Sequence, residues 1–290
     1  MITVFGSINL DLIFALDRLP GPGETLLGPD TRIEPGGKGA NQAVAAALDG
    51  AAVAMAGAVG GDALAEGALA GLRAAGVDLS RVVRAAATTG CAAICTDPAG
   101  RNLIAVGSGA NRLARADQVE DALLAPGHTL LLQMETDPAE TATLVHRARG
   151  ARIILNLAPA GALDDAALRA VDVLVVNEHE AEWLAAALRT GADAASLHRA
   201  LGGTVVRTLG EHGSEWAGRE GAGSIPAHPV AVLDTTAGGD CFTGVLAAAL
   251  DRGAALPDAL RRASIAAGLC CAGRGSQGSL PSRAQTNAAA

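Results

Sequence analysis

The sequence has no uncharged apolar run near the roughly 18 residues that a membrane-spanning helix needs. Residues 1–6 carry no basic stretch of the kind that opens a signal peptide, so we predict a cytoplasmic protein with no membrane contact. Positive charge is also scarce, because 22 Lys and Arg stand against 30 Asp and Glu, a formal charge of −8. This balance argues against the broad basic surface that nucleic acids require, and we expect no nucleic acid partner.

Cysteine and histidine are few and lack the spacings of known site types. The five cysteines include no C-x-x-C pair, and their odd number fits reduced thiols in a core better than a disulfide framework or a zinc site. The six histidines show no metal-ligand spacing and no matched Ser or Cys, which argues against a metal centre or a hydrolytic triad. We attribute the absence of tyrosine, beside abundant Ala and Gly, to genomic composition bias without functional meaning.

Half of the 290 residues are hydrophobic, which is enough for a substantial core in one large domain, or in one domain with a small appendage. From residue 51 onward, short apolar runs alternate with helical segments. The predicted strands are 51–59, 130–134, 152–157, 171–176 and 204–208, and the predicted helices are 62–75, 138–149, 164–169 and 179–201. This alternation predicts a parallel sheet covered by helices on both faces, with ligands at the carboxyl ends of its strands.

Two stretches, residues 12–33 and 80–111, interrupt this alternation. Both contain strand-like runs with no helix between them. The runs lie at 25–33, 82–83, 91–96 and 102–106. We predict that the two stretches form a small β lid over the site of a single domain that spans residues 1–290.

The segment Asp234-Thr235-Thr236-Ala237-Gly238-Gly239-Asp240 runs directly into an apolar helical stretch at 241–250. Small residues at a helix start leave the first backbone N–H groups uncovered, and the positive end of the helix dipole favours an oxyanion there. Asp240 could orient and deprotonate a substrate hydroxyl beside a phosphoryl group held in this way. The structural alternative is that Gly238 and Gly239 make a tight turn and Asp240 caps the helix.

A strand-like run at 7–13 carries two polar residues with a spacing of two. In a strand this spacing aims Asn9 and Asp11 to one face, opposite Ile8 and Leu10. The pair could grip the vicinal hydroxyls of a small ligand. Alternatively, both residues could form the solvated face of an edge strand.

A glycine-rich stretch at 35–48 precedes a second strong helix former. Such a loop lets a small polar ligand approach the main chain closely, and Asn41 lies in the first helical turn beside it. Lys38 is followed by Gly39, where a Walker A loop needs Ser or Thr, so the stretch is not a P-loop. A plain turn and helix start is the alternative.

Polar residues also follow the later strands. The strand at 130–134 leads to Glu135, and the one at 171–176 leads to Asn177 and Glu180. The spacing of Asn177 and Glu180 puts an amide and a carboxylate on one side of a helical turn, which suits Mg²⁺ held mainly through water and phosphate oxygens. A capping box would use the same residues.

The C-terminal part of the chain contains one misleading pattern. Gly273-Arg274-Gly275-Ser276-Gln277-Gly278 fits G-x-G-x-x-G, but it follows a helical segment and leaves too little chain for a βαβ unit. A dinucleotide-binding fold is therefore excluded there. Beyond Pro281 the sequence has no apolar period, and we expect a frayed end.

Taken together, five segments resemble the ribokinase-like (PfkB) family of sugar kinases, in family order and over nearly the whole chain. They are Gly6-Ser7-Ile8-Asn9, Pro22-Gly23-Glu24-Thr25, the glycine-rich stretch 36–46, Asn177-Glu178-His179-Glu180 and the 234–240 loop. The resemblance implies a three-layer α/β/α sandwich with a mostly parallel central sheet and a small β-sheet lid. It also implies transfer of the γ-phosphoryl group of ATP to a sugar hydroxyl, with D-ribose giving D-ribose 5-phosphate as the expected case.

The resemblance implies roles for individual residues. Asp240 is the catalytic base, and the anion hole uses the backbone of Ala237, Gly238, Gly239 and Asp240. Sugar binding falls to Asn9, Asp11, Gly37, Lys38, Gly39, Asn41, Glu135 and Asp240. Nucleotide binding falls to Asn177, Thr208, Gly210, Gly213, Gly239 and Ser264. Mg²⁺ lies near Asn177 and Glu180 without direct bonds, and a monovalent cation, usually K⁺, is held by Asp234, Thr236, Cys270, Gly273, Gly275 and Ser279.

The partners implied in this way are a sugar, ATP and a second copy of the chain, in a homodimer formed through the β lid. Gly238 departs from the family pattern, where Ala is usual, and Val245 is larger than the residue typical there. A related kinase for a phosphosugar, deoxyribose, fructose or a nucleoside stays open, as does a non-catalytic sugar sensor. Asp11 disfavours a phosphorylated substrate, because its carboxylate would repel the phosphate. Five arginines in or beside the lid could instead clamp one, namely Arg81, Arg84, Arg101, Arg112 and Arg115.

Overall fold

The structure is a computed structural model that describes residues 1–98 and 101–290. In these residues, short runs rich in Val, Ile, Leu and Ala form thirteen strands. They are β1 (Ile2–Phe5), β2 (Asn9–Ala15), β3 (Thr31–Gly36), β4 (Val53–Gly60), β5 (Asp78–Ala85), β6 (Gly90–Thr96), β7 (Asn102–Gly107), β8 (Thr129–Leu132), β9 (Arg152–Asn156), β10 (Val173–Val176), β11 (Thr204–Thr208), β12 (Ser214–Gly218) and β13 (Gly221–Ile225).

The segments between strands form helices where Ala and Leu, both strong helix formers, are frequent. The described helices are α1 (Lys38–Leu48), α2 (Leu64–Ala74), α3 (Pro138–Arg147), α4 (Asp165–Ala170), α5 (Glu178–Leu188), α6 (Ala194–Leu201), α7 (Gly238–Asp251), α8 (Leu256–Cys271) and α9 (Arg283–Ala288). Within the described ranges, none of them combines the length and the apolar character that crossing a membrane would take.

Nine strands form one large sheet in the order β13-β12-β11-β10-β9-β8-β1-β4-β5. The strands from β5 to β11 pair in parallel, and β12 and β13 extend the sheet as antiparallel strands. Parallel strands buried on both faces need apolar residues at nearly every position, which β8 and β10 supply with Thr-Leu-Leu-Leu and Val-Leu-Val-Val. The prediction of a mostly parallel central sheet is confirmed.

Helices cover both faces of this sheet, and the alternation of side chains along each strand divides the core in two. Ile2 and Val4 of β1 pack into one hydrophobic cluster with residues of α1, α2, α7 and α8. Phe5 packs into the other cluster with residues of α3, α4, α5 and α6. Because successive strand residues point to opposite faces, one apolar strand serves both clusters. The predicted three-layer α/β/α sandwich is confirmed.

A separate sheet of four strands has the order β3-β2-β6-β7. It begins at Asn9, a few residues beyond the carboxyl end of β1, and so starts at the edge of the large sheet where ligands are expected. Its return strand is 31–36, later than the predicted 25–33. Val82 and Val83 belong to β5, which pairs with β4 in the large sheet, so their assignment to the lid was wrong.

Two further expectations are corrected by local capping. The predicted helix at 179–201 is two helices, because Arg189 ends α5 in a left-handed conformation and Asp193 caps α6. The end of the chain is helical where fraying was expected. Ser282 and Gln285 form a capping box at the start of α9, and Thr286 is buried, so polar capping replaces the missing apolar period.

Candidate active site

Polar residues that follow the parallel strands meet at one edge of the large sheet. β1, β8, β9 and β10 lie next to one another and run the same way, so their carboxyl ends share this edge. The polar residues at or just after these four strand ends are Ser7, Gln133, Asn156 and Asn177. The first turns of α1 and α7 join them there, because Asn41 hydrogen-bonds to Asp240 across 199 residues of chain.

The start of α7 provides backbone donors. Ala237 adopts a left-handed conformation, with φ 58°, and the helix begins at the next residue. The N–H of Gly238 donates to the carbonyl of Thr235, whereas those of Gly239 and Asp240 meet no acceptor among the described residues. These two groups can therefore receive an oxyanion at the positive end of the helix dipole. A Cβ on residue 238 would lie 2.9 Å from Cys271 Sγ, so glycine suits this position.

The carboxylate of Asp240 is buried, with 8% of the residue exposed. Its Oδ2 accepts a hydrogen bond from Asn41 Nδ2 at 2.9 Å, and its Oδ1 accepts one from Gln42 Nε2 at 2.9 Å. Both donors are neutral amides, which fix the carboxylate without neutralising it. Asp240 is therefore held in one orientation beside the free N–H groups of its own helix.

The glycines at the start of α1 lie directly against the segment that follows β1. Gly37 has φ 89°, and a Cβ on Gly39 would lie 2.6 Å from the backbone N of Ser7. Glu135 closes the loop, because its Oε2 accepts from Ser7 Oγ at 2.5 Å and from the N–H of Lys38 at 3.0 Å. The glycines thus permit a close approach that a larger residue would prevent.

Lys38 brings a half-buried positive charge to the same place. Burial by itself lowers the pKa of its ammonium, but the surrounding carboxylates outweigh this and raise the pKa above its ordinary value. These carboxylates belong to Asp240, Glu135, Glu180 and Asp11. Lys38 is therefore charged at neutral pH. It interacts electrostatically with four carboxylates that were predicted from the sequence to bind the sugar or to lie near Mg²⁺.

Asn9 lies on β2, and its amide is held from the lid side. Its Oδ1 accepts a hydrogen bond from Asn111 Nδ2 at 2.7 Å, and Asn111 Oδ1 accepts from the N–H of Ile8 at 2.9 Å. A Cβ on Gly90 would lie 2.2 Å from Asn9 Oδ1, so only glycine leaves room for this contact. The described residues give the Nδ2 of Asn9 no hydrogen-bond partner.

Asp11, two residues along the strand, is a buried carboxyl without a full set of partners. Its Oδ1 has no hydrogen bond among the described residues. A Cβ on Gly36 would lie 2.0 Å from its Oδ2. Burial, then the negative charges of Glu135, Glu34 and Asp240, raise its pKa from 3.8 to about 7, although Lys38 partly opposes this. An unpartnered buried oxygen of this kind is suited to a substrate hydroxyl.

Asn177 and Glu180 form the capping box that the sequence left as an alternative. Asn177 Oδ1 accepts from the N–H of Glu180 at 2.8 Å, and both Glu180 oxygens accept from Asn177, through its backbone N–H and its Nδ2. Burial raises the pKa of Glu180, and the hydrogen bond from Asn177 opposes that effect. With both oxygens already bonded, Glu180 fits a Mg²⁺ role through water better than a direct bond.

Three of the residues predicted to hold the nucleotide lie at the end of β11 and just after it, namely Thr208, Gly210 and Gly213. Gly210 and Gly213 have φ 55° and 89°, and a Cβ on Gly213 would lie 2.1 Å from the carbonyl oxygen of Ile225. Thr208 Oγ1 donates to the carbonyl of Val176 at 3.4 Å. Ser264 is buried and its hydroxyl donates to the carbonyl of Pro226, which ties α8 to the segment after β13. The Ser264 hydroxyl is therefore already used within the protein.

The residues predicted to hold a monovalent cation form one cluster below α7. Asp234 Oδ1 accepts from the N–H of Thr236, and its Oδ2 accepts from the N–H of Gly275. Burial acts to raise the pKa of Asp234. The hydrogen bonds have the larger combined effect and lower this pKa below its ordinary value. Ser279 Oγ bonds to the carbonyl of Gly275 and to Cys270 Sγ. A carboxylate with nearby backbone carbonyls is a donor set that suits K⁺.

Residues 1–283 match the family model described as pfkB family carbohydrate kinase. The match covers both sheets and all of the site residues above. The chain belongs to this family. Its membership confirms the resemblance seen in the five sequence motifs and makes the protein a carbohydrate kinase by family.

Two curated relatives of the chain are ribokinases. The chain is 35% identical to that of Haemophilus influenzae over 295 residues, which is 98% of this chain and 96% of the relative. It is 37% identical to the ribokinase of Bacillus subtilis over 292 residues, which is 97% of this chain and 96% of that relative. Among solved structures, Arabidopsis thaliana ribokinase complexed with ribose and ATP has a TM-score of 0.87 and 27% identity, covering 99% of this chain and 97% of that one.

Several polar residues of the site received no role from the sequence. Ser7 and Gln42 lie inside pfkB family motifs, but the roles in those motifs were assigned to neighbouring residues. Asn111 and Gln277 had no local signal, because their site partners are 102 and 236 residues away. Gln277 even lies within the misleading G-x-G-x-x-G pattern. Contacts of this range can be found only once the chain is folded.

A cavity of about 650 Å³ opens at the opposite edge of the large sheet. It lies at the start of β9, β10 and β11, and its lining includes Arg152, Asp172 and Thr204. No residue predicted from the pfkB motifs lines it. The predicted site residues lie instead at the edge that holds Asp240.

Proposed function

We propose that this protein is an ATP-dependent ribose kinase that transfers the γ-phosphoryl group of ATP to the 5-hydroxyl of D-ribose. The observation that carries the proposal is the buried carboxylate of Asp240, held by Asn41 and Gln42 beside the free N–H groups of Gly239 and Asp240. A base and an anion hole on the same first turn of a helix are what phosphoryl transfer requires.

In the proposed reaction Asp240 accepts the proton of the attacking sugar hydroxyl. The hydroxyl oxygen then bonds to the γ-phosphorus as the bond to the β-phosphate oxygen breaks, and ADP leaves. The N–H groups of Gly239 and Asp240 stabilise the negative charge on the phosphoryl oxygens. Lys38, charged and electrostatically close to Asp240, adds a second source of positive potential.

The sugar pocket favours a neutral substrate. Asn9 and Asn41 can donate to hydroxyl oxygens, and Asp11 and Glu135 can accept from hydroxyl groups. A substrate phosphate would meet both carboxylates. Four of the five arginines in or beside the lid are used in ion pairs. The pairs are Arg81 with Asp78 and Glu120, Arg84 with Glu66, Arg101 with Asp97, and Arg115 with Glu140.

ATP would bring Mg²⁺ to the site, where the ion neutralises phosphate charge. The Asn177 and Glu180 capping box could orient water molecules of its shell, since Glu180 is buried and electrostatically close to Asp240. We further propose that K⁺ is held by Asp234 and by carbonyls of the two segments that Asp234 joins. Thr208, Gly210 and Gly213 would bind the nucleotide, and Ser264 would line the adenine side.

Ribose is preferred among sugars because the relatives at 35% and 37% identity are ribokinases, and because a ribokinase of the same fold has been solved with ribose and ATP. The need for ATP is consistent with action in the cytoplasm. The proposed homodimer would use the face of the four-stranded sheet that exposes Ile33 and Leu103.

The test is ADP release measured with purified protein across ribose, deoxyribose, fructose, ribose 5-phosphate and adenosine. We expect ribose to give the highest kcat/KM. A tenfold or greater preference for a phosphosugar or a nucleoside would overturn the ribose assignment and leave the kinase assignment standing. Sugar binding without ADP release from any of them would favour a non-catalytic sensor.

A further inference from the structure

Two amide pairs surround Asp240, and each has the same construction. Asn41 and Gln42 donate to the two carboxylate oxygens, and the carbonyl oxygen of each amide accepts from a glutamine. Gln277 Nε2 donates to Asn41 Oδ1 at 3.0 Å, and Gln133 Nε2 donates to Gln42 Oε1 at 2.7 Å. Both oxygens of an ionised carboxylate can only accept. The orientation of every amide in these chains therefore follows from the charge on Asp240.

Gln277 is the remote member of the Asn41 chain. It starts the 3-10 turn Gln277–Ser279, in the loop that contains Gly275, and only 8% of it is exposed. Its Oε1 has no partner among the described residues, and it fits against Gly71, where a Cβ would lie 1.8 Å away. The glutamine side chain is thus held by shape, and Asn41 is the group to which its Nε2 donates.

We infer that Gln277 is a positioning residue for the catalytic base, acting through Asn41. Its donor holds the Asn41 carbonyl, so the Asn41 amino group must face Asp240. The second N–H of that amino group is then free for a sugar hydroxyl. Because Gln277 shares its loop with Gly275 and Ser279, the same contact connects the proposed cation cluster to the base. The inference rests on the proposed function, in which Asp240 is the base.

The test is Gln277→Glu, which keeps the shape of the side chain and removes its donor. The new carboxylate would accept from the Asn41 amino group, and the Asn41 carbonyl would then turn toward Asp240. An acceptor beside a carboxylate favours its protonated form. We expect kcat to fall by about tenfold to a hundredfold, and the acidic limb of the pH–kcat profile to move to higher pH.

The added charge could act on Asp240 directly, and a double-mutant cycle separates the two effects. Other charged or titratable groups near Asp240 are the same in all variants. They are Asp11 on β2, Lys38 on α1, Glu135 after β8, Glu180 on α5, Cys241 on α7 and Cys270 on α8. In an Asn41→Ala background, the inference expects Gln277→Glu to have no further effect on kcat or on the acidic limb.

Gln118→Glu is the matched control. Gln118 Nε2 donates to the carbonyls of Gly57 and Arg81, so this change also removes internal donors and should lower Tm. Its acidic limb should stay where the parent has it. A Gln277→Glu enzyme with kcat within twofold of the parent, or with the same loss in the Asn41→Ala background, would overturn the inference. If Asp240→Asn stays active, the proposed base itself is wrong, which is a different failure.

Discussion

The Asp240 carboxylate joins two functions in one side chain, since it receives two amide hydrogen bonds and is the proposed base. Asp240→Asn removes the base and should lower kcat by about 10² to 10⁴. Sugar and ATP should still bind, because the other pocket residues are unchanged. Turnover by ADP release and binding by calorimetry measure the two parts separately.

The matched control for this change is Asp251→Asn, at the other end of α7. Asp251 pairs with the N-terminal ammonium and with Thr129, away from the site. This variant should keep the kcat of the parent. A kcat within tenfold of the parent for Asp240→Asn would remove Asp240 from the role of base.

Asp11 combines a proposed role in sugar binding with a stability cost. Its pKa is raised from 3.8 to about 7, so the folded protein binds more protons than the unfolded chain between these pH values. The free energy of unfolding therefore falls as pH rises through this window. Asp11→Asn should gain stability relative to the parent between pH 5 and pH 8, on the order of 2 kcal/mol.

The same variant should raise the ribose KM by about tenfold or more at pH 8, because a sugar hydroxyl loses its charged acceptor. Thermal unfolding at pH 5 and pH 8, with Asp30→Asn as an exposed control, measures the stability change. An unchanged stability difference between the two pH values would contradict the raised pKa. An unchanged ribose KM would remove Asp11 from the sugar pocket.

Residue predictions from the sequence succeeded where a motif was local. Asp240 and Asn41 were each expected at a helix start, and both lie in the first turns of their helices. That they contact a ligand stays a prediction. The hydrogen bond between them could not be predicted, because no pattern relates positions 199 residues apart. Asn111 shows the same limit, since its contact with Asn9 joins residues that are 102 positions apart.

Among elements, the buried parallel strands were the easiest to predict. β9 and β11 match the expected runs closely, because an uninterrupted apolar run between breakers has few other uses. β5 was misassigned because its alternating, half-exposed pattern resembles a lid strand, while it is the edge strand of the large sheet. α9 was missed because a capping box and one buried Thr286 define it in place of apolar periodicity.

Asp234 connects the loop that carries Gly275 to the segment before α7, because it accepts hydrogen bonds from the N–H groups of Gly275 and Thr236. If K⁺ completes this contact, the anion-hole N–H groups are better placed when it is bound. We expect K⁺ to raise kcat by roughly tenfold over tetramethylammonium at matched ionic strength. This is less than the effect of losing a donor, since the donors stay and only their placement changes.

Asp234→Asn should weaken this K⁺ response while the fold is kept, and the exposed Asp258→Asn should retain it. The measurement is kcat against K⁺ concentration at constant ionic strength. Equal activity of the parent in K⁺ and in tetramethylammonium would count decisively against a cation site in this loop. Equal K⁺ responses in the parent and in Asp234→Asn would show that K⁺ activates the enzyme from a site that does not include Asp234.

At the scale of the whole molecule, the four-stranded sheet exposes large hydrophobic side chains to solvent. Ile33 and Leu103 are 63% and 46% exposed. The register pairs Ile33 with Leu12, Leu12 with Ala93, and Ala93 with Ala105. Ile33, Leu12 and Leu103 therefore share the face opposite to Asp11. Exposed apolar patches of this kind mark interaction surfaces, and a second copy of the chain is the proposed partner.

The double variant Ile33→Lys with Leu103→Lys should separate the dimer, because it places two positive charges in an apolar contact from each copy. Light scattering should give twice 28.7 kDa for the parent and 28.7 kDa for the variant. Trp183→Lys, on the exposed side of α5, is the control and should stay dimeric. A parent that is already monomeric, or a variant that keeps the parent mass, would contradict the lid as the interface. Because Asp11 points to the other face, the monomeric variant should still phosphorylate ribose. A raised ribose KM in this variant would show that dimerisation holds the lid over the sugar.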